Sequence, residues 1–208
     1  MVKLILLRHG RTVHNLIHRY QGQFDSSLDD LGIRQAEFAA EHLTKNFKID
    51  AIYASDLSRA VNTAMPTAKA LGLPLTTYKE LREVHVGIWE NRMVSEVKEV
   101  SPEEVKKYNE DPGTFRFTGG ESFVEVLDRA LKKLTEIAES HKDGETVLVV
   151  SHGGVIRSLT CHWHGLPIAD LRKIPPTPNT SLTVVEYENG TFTLKSEGDN
   201  SHIPEDLR

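Results

Sequence analysis

Two apolar runs of strand length, far apart in this chain, each lead into a histidine followed by glycine. The first run is residues 4–7, before Arg8-His9-Gly10, and the second is residues 147–150, before Ser151-His152-Gly153. Short, continuous apolar runs predict strands that are buried on both faces of a parallel sheet. Open α/β sheets bind their ligands beyond the carboxyl ends of the strands. We therefore expect both histidines at that edge, beside the positive charge of Arg8, in a site for an anion such as phosphate.

The chain between these runs alternates between helical and strand patterns. Apolar side chains recur at helical spacing in 29–45 and 56–71, and Asp29 or Asp30 is a candidate N-cap. Further strands are predicted at 49–54 and 73–77, further helices at 121–141 and 155–164, and a hairpin from 181–187 and 191–194. This order predicts an α/β fold, a three-layer α/β/α sandwich with a mostly parallel central sheet.

Residues 84–120 depart from this alternation. They contain candidate short helices at 94–100 and 102–108, followed by a turn at 111–113. No linker or repeat divides the chain, so we expect a single domain over 1–208 with an inserted, cap-like segment at about 84–120. Such a segment could cover a site at the strand ends.

Composition narrows the classes of partner. The formal net charge is −5, which does not suit a nucleic-acid backbone as ligand. No apolar run reaches roughly 18 residues, so no membrane partner is expected. Cys161 is the single cysteine, which excludes an internal disulfide and favours a cytoplasmic protein. The pairs His14/His18 and His162/His164 lack an accompanying glutamate or cysteine cluster, so neither a metal nor another cofactor is predicted.

Four motifs occur in a characteristic order along the chain. They are Arg8-His9-Gly10, Arg59 within Ser55–Ala60, Glu83 before Val84-His85-Val86, and Ser151-His152-Gly153. Each motif alone is weak, but together and in this order they resemble the histidine phosphatase superfamily, the relatives of cofactor-dependent phosphoglycerate mutase. The resemblance covers nearly the whole chain and implies a phosphoglycerate mutase-like fold.

The resemblance also implies roles for individual residues. His9 is expected to attack phosphorus and become a phosphohistidine, with one ring nitrogen held by a backbone carbonyl. Arg8, Arg59 and His152 are expected to bind the phosphate oxygens, and a bound phosphate dianion would favour the imidazolium form of His152. Glu83 is expected to act as the general acid and then to activate water. Further phosphate or substrate contacts are expected from a second group, Asn15, Gln21, Gly22, His85 and Gly153.

Phosphatases and mutases of this superfamily share the first chemical step, so the motifs alone do not separate them. The region after Glu83 has few basic residues and lacks the long basic insertion of the mutase branch. We therefore predict a metal-independent phosphomonoester hydrolase acting on small phosphorylated metabolites, with similarity to broad-specificity bacterial phosphatases. A phosphoglycerate mutase and a non-catalytic phospho-ligand binding module are the alternatives. A homodimer is a possible assembly.

Overall fold

A six-stranded sheet forms the centre of the computed structural model, which describes residues 1–208. Its strands run in the order β3-β2-β4-β1-β5-β6. Strands β1, β4, β2 and β3 are mutually parallel, whereas β5 is antiparallel to β1 and β6 is antiparallel to β5. The strand bounds are β1 Val2–Arg8, β2 Ala51–Ser55, β3 Leu75–Tyr78, β4 Thr146–Ser151, β5 Leu182–Glu188 and β6 Thr191–Asp199.

Seven α-helices surround this sheet. Their bounds are α1 Val13–Leu16, α2 Asp30–Asn46, α3 Ser58–Leu71, α4 Val94–Val100, α5 Pro102–Glu110, α6 Phe123–Glu139 and α7 Gly153–Trp163. Short 3₁₀ turns lie at Lys79–Leu81, Gly87–Trp89, Ile168–Lys173 and Glu205–Leu207. None of the helices combines the length and apolar character needed to span a bilayer.

Helices cover both faces of the sheet because the central strands are apolar on both faces. Ile5 and Leu7 of β1 pack in one buried cluster with α2 and α3. Leu4 and Leu6, which point the other way, pack in a second cluster with α6 and α7. The three-layer α/β/α sandwich with a mostly parallel sheet is therefore confirmed.

Local signals define most of the helix ends. The Asp29 side chain accepts a hydrogen bond from the amide of Gly32 and caps α2. Helix α3 ends at Gly72, which adopts a left-handed conformation with φ of 64°. The helix predicted over 121–141 is shorter than expected, because Ser122 caps it and Phe123 is its first residue.

The order of the strands brings the two histidine motifs together. Strand β4 lies between β1 and β2, although it follows them in the chain by a long connection. The chain leaves β1 towards the α2–α3 face and leaves β4 into α7 on the opposite face. The ends of β1 and β4 therefore form the topological switch point at which α/β sheets bind ligands.

Candidate active site

The strand register places His9 and His152 side by side. Arg8 is paired with Ser151 at the ends of β1 and β4, and the His9 amide donates to the Ser151 carbonyl at 2.9 Å. The centroids of the two imidazole rings are 5.1 Å apart. His9 is only 2% exposed and His152 is fully buried. Two histidines from distant parts of the sequence thus share one buried pocket.

The main chain sets the tautomer of His9. Its Nδ1 lies 2.8 Å from the carbonyl oxygen of Gly10. A carbonyl can only accept, so Nδ1 carries the hydrogen and Nε2 keeps its lone pair. Burial, followed by the charges of Arg59 and Arg8, holds the pKa of His9 well below its usual value of 6.5. A neutral imidazole with a free Nε2 lone pair follows.

Arg59, in the first turn of α3, organises the floor of the pocket. Its side chain is fully buried, and burial lowers its pKa to about 10, so it stays a cation at neutral pH. Nη1 donates to the Phe24 carbonyl at 2.9 Å and Nη2 to the Gly22 carbonyl at 2.7 Å. Nε donates to Nδ1 of His152 at 3.2 Å. The guanidinium is therefore fixed by three acceptors.

The bond from Arg59 determines the state of His152. Because the arginine can only donate, Nδ1 of His152 must be unprotonated, and the ring hydrogen lies on Nε2. Burial and the neighbouring Arg59 charge lower the pKa of His152 well below 6.5. His152 is therefore a neutral donor in this structure, and its imidazolium form beside a bound phosphate dianion stays a prediction. Its Nε2 is buried and has no acceptor within the protein.

Arg8 supplies a second donor of the same kind. Its Nη1 donates to the Thr177 carbonyl, which holds the side chain across the end of the sheet. Its Nε is buried and also lacks an acceptor in the protein. Polar atoms buried in this way carry a desolvation cost unless a partner satisfies them. The oxygens of a bound anion would satisfy both Arg8 and His152.

Glu83 faces these groups from the other side of the pocket. Its Oε1 accepts from the Val84 amide at 2.9 Å, and its Oε2 accepts from the Gly154 amide at 3.0 Å. A Cβ at position 154 would lie 2.4 Å from Oε1, so only glycine allows this approach. The first turn of α7 thus fixes the carboxylate through a main-chain amide.

A cavity of about 280 Å³ opens above these side chains. Eight of the ten residues predicted as site residues line it, namely Arg8, His9, Asn15, Gln21, Gly22, Arg59, Glu83 and Gly153. His152 lies against Arg59 and is buried. His85 does not line the cavity. Its Nε2 lies 3.6 Å from Glu90, and its main chain pairs with Glu121.

Asn15 and Gln21 are held at the rim by one buried residue. The Thr12 hydroxyl donates to Oε1 of Gln21 at 2.9 Å, and the Thr12 amide donates to Oδ1 of Asn15 at 3.2 Å. These bonds leave the amide nitrogens of Asn15 and Gln21 without a protein acceptor among the hydrogen bonds of the structure. Both side chains can therefore donate to a ligand.

Five cavity residues with polar side chains were not predicted as site residues from the sequence: Arg19, Tyr20, Tyr108, Arg157 and Thr177. Arg157 follows Gly153 by one helical turn, so its place on the same face of α7 could have been read from the spacing. Tyr108 reaches the cavity from α5, and no local pattern indicates this. Burial raises the pKa of Tyr20 to about 12, so its hydroxyl is a neutral donor.

Comparison with known proteins identifies the family. The profile of the histidine phosphatase superfamily (branch 1) matches residues 4–200. The chain belongs to this family. It is 37% identical over 211 residues to "Phosphoglycerate mutase-like protein 4" of Arabidopsis thaliana, covering 98% of this chain and 87% of that protein. It is 35% identical over 205 residues to the "Metal-independent phosphoserine phosphatase" of the same plant, covering 98% and 84%.

A solved structure shows the same fold over the same extent. The protein YhfR of Bacillus stearothermophilus superimposes with a TM-score of 0.92 at 34% identity, covering 97% of this chain and 99% of that one. In the present structure no group of three or more histidine, cysteine, aspartate or glutamate side chains is arranged to hold a metal ion.

Proposed function

We propose that this protein is a metal-independent phosphomonoester hydrolase that acts through a phosphohistidine on His9. The observation that carries the proposal is the state of His9. Its Nδ1 is committed to the Gly10 carbonyl, and its Nε2 lone pair faces a pocket with the buried Arg59, the half-buried Arg8 and His152. A neutral nucleophile among cationic donors suits attack on a phosphate dianion.

The first step transfers the phosphoryl group. The lone pair of His9 Nε2 forms a bond to phosphorus while the ester P–O bond breaks. Arg8, Arg59 and His152 donate to the phosphoryl oxygens, where negative charge is spread in the transition state. Glu83 gives its proton to the departing alkoxide, which leaves as an alcohol.

The second step regenerates the enzyme. Glu83, now a carboxylate, takes a proton from water, and the water oxygen attacks the phosphorus. The N–P bond breaks, its electrons return to Nε2 of His9, and inorganic phosphate is released. The two main-chain bonds to Glu83, from Val84 and Gly154, support the same orientation of the carboxyl group in both steps.

We also propose that residues 84–120 act as a cap that shapes the space for the leaving group. Val84, Val86, Tyr108 and Phe117 are the residues of this segment that line the cavity. None is a cation, so the cap offers apolar and aromatic surface rather than charge. Asn15, Gln21, Gly22 and Gly153 are proposed as further contacts for phosphate or substrate.

The substrate class we propose is a small phosphorylated metabolite, handled in the cytoplasm. The similarity to a phosphoserine phosphatase supports this class. The name of the mutase-like relative supports phosphoglycerate mutase as the alternative. Arg19 and Arg157 also line the cavity, but no basic residue of 84–120 does, and the lack of charge in this segment favours hydrolysis over retention of a phosphoglycerate. The homodimer stays a prediction, and analytical ultracentrifugation would test it by measuring the molecular mass in solution.

A panel of phosphomonoesters tests the proposal directly. Inorganic phosphate release should be measured with p-nitrophenyl phosphate, phosphoserine and 3-phosphoglycerate, with and without EDTA. We expect hydrolysis that the chelator does not change. A strict requirement for Mg²⁺ or Zn²⁺, or binding of phosphate without turnover of any ester, would contradict the proposal.

A further inference from the structure

Glu83 lies in a stretch of chain, residues 82–86, that forms neither helix nor strand. The main-chain groups of such a stretch have no ladder to satisfy or hold them, and they need partners from elsewhere. The carboxylate of Glu83 is fixed by two amides, but those bonds are useful only if the main chain beneath it is also fixed. An ion pair between Arg129 of α6 and Glu121 lies against this stretch and bonds to its main chain.

The pair has bidentate geometry. Arg129 Nε lies 2.9 Å from Glu121 Oε1, and Arg129 Nη2 lies 3.0 Å from Oε2. The two side chains are only 18% and 22% exposed. Two parallel bonds fix the plane of the guanidinium and thereby the direction of its other hydrogens. Those hydrogens point at the main chain that carries Glu83.

Both members of the pair hold that main chain. Arg129 donates from Nη1 to the Glu80 carbonyl at 2.7 Å and from Nη2 to the Glu83 carbonyl at 3.0 Å. Glu121 Oε2 accepts from the His85 amide at 3.0 Å, and the Glu121 amide donates to the His85 carbonyl at 2.8 Å. The chain is therefore held before, at and after Glu83.

We propose that Arg129 and Glu121 are positioning residues that clamp residues 80–85 and so aim the Glu83 carboxyl group at the leaving oxygen. The inference rests on the proposed role of Glu83. It also gives a function to Glu121 within Gly119-Gly120-Glu121-Ser122, a motif that the catalytic groups do not explain. A displacement of about 1 Å in a group that transfers a proton can cost about 10²-fold in rate.

The clamp predicts an effect that depends on the leaving group. Arg129→Gln should lower kcat/KM for glycerol 2-phosphate by about 10- to 100-fold, because an alkoxide needs the proton. With p-nitrophenyl phosphate the loss should stay below about 3-fold, since nitrophenolate leaves without help. The Ki of inorganic phosphate should not change. Arg129→Lys should restore only part of the activity, because an ammonium cannot form the bidentate pair.

The matched control is Arg116→Gln. Arg116 likewise forms an ion pair with a glutamate, Glu125 of α6, but it is exposed and makes no hydrogen bond to residues 80–85. It should leave both rates at the wild-type level. If circular dichroism shows that Arg129→Gln is misfolded, Glu121→Gln and Arg129→Lys can be used for the same test, because they change the side-chain shape less.

A double variant separates the clamp from the role of Glu83. In the Glu83→Gln background, Arg129→Gln should add no further loss with glycerol 2-phosphate, since its effect acts through Glu83. Equal losses on both esters in Arg129→Gln, or additive losses in the double variant, would overturn the clamp alone. If Glu83→Gln itself shows no dependence on the leaving group, the proposed role of Glu83 fails, and the clamp fails with it.

Discussion

Arg59 Nε donates to His152 Nδ1 at 3.2 Å, and both side chains are fully buried at the carboxyl edge of the sheet. This bond assigns the hydrogen of His152 to Nε2, the atom that has no acceptor in the protein. A cation thus determines the tautomer of its neighbour, and the neighbour becomes a donor. In the proposed mechanism, this donor is already oriented for the oxygens of a phosphoryl group before the substrate binds.

Arg59→Lys should therefore lower the activity strongly, although lysine keeps the positive charge. Lysine cannot reach the carbonyls of Gly22 and Phe24 and Nδ1 of His152 in one geometry. Loss of a preorganised donor typically costs about 10²–10³-fold in kcat. We expect a loss of that size and a raised Ki for inorganic phosphate, measured by steady-state kinetics. Arg34→Lys, on the exposed face of α2, is the control; wild-type rates in Arg59→Lys would contradict the assignment.

His9→Ala should remove the covalent intermediate. We expect at least about a 10³-fold loss in turnover, because the nucleophilic route is gone. To trap the intermediate, the wild-type enzyme should be denatured in alkali during turnover of labelled p-nitrophenyl phosphate. Alkali is used because a phosphohistidine is stable there and is hydrolysed in acid. Mass spectrometry should place the adduct on His9. The exposed His162 provides a control as His162→Ala, and an adduct on any other residue would refute this role.

Glu83→Gln should distinguish between esters by the basicity of their leaving groups. General acid assistance contributes about 10²–10⁴-fold where the leaving oxygen needs a proton. We expect a loss in that range for glycerol 2-phosphate and a clearly smaller loss for p-nitrophenyl phosphate. Glu80→Gln, an exposed carboxylate close in the chain, should retain both rates. Identical losses on the two esters would assign Glu83 to the hydrolysis of the phosphohistidine instead.

With 3-phosphoglycerate, hydrolysis should equal or exceed isomerisation. A mutase must keep water away from the phosphohistidine while the bound phosphoglycerate reorients. The cap residues that line the cavity carry no positive charge to hold a phosphoglycerate during that time. Phosphate release and 2-phosphoglycerate formation should be measured together, with and without 2,3-bisphosphoglycerate. A large rise in isomerisation on adding that compound would establish the mutase instead.

The two active-site histidines should make stability depend on pH. Folding lowers both of their pKa values below 6.5, so the unfolded chain binds more protons once the pH falls through about 6.5. The free energy of unfolding should be highest above that pH and should decrease as the pH falls below it. The slope is at most about 1.4 kcal/mol per pH unit for each histidine.

Urea unfolding in phosphate-free buffer between pH 7.5 and 5.5 measures this slope. His152→Asn removes one of the two groups, so its slope over the same range should be shallower than that of the wild type. Parallel slopes for the two proteins would show that His152 does not titrate differently in the folded and unfolded chains.

Local interactions explain why much of the fold could be predicted from the sequence. Asp29 caps α2, Gly72 ends α3, and α4 has the predicted bounds, because caps, turns and apolar periodicity act over a few residues. The apolar runs before His9 and His152 likewise predict buried strands and a site at their ends. The motif order carried the resemblance to the family, which the comparisons confirmed.

Only the tertiary structure determined how these parts meet. Strand β4 lies between β1 and β2. Two hydrogen bonds in the site also join residues far apart in the chain, from Arg59 to His152 and from Gly154 to Glu83. Periodicity holds no information on such pairings, since they depend on the packing of all layers at once. His85 illustrates the limit. It lies in an irregular stretch, where no period sets the direction of a side chain, and it faces Glu90 outside the cavity.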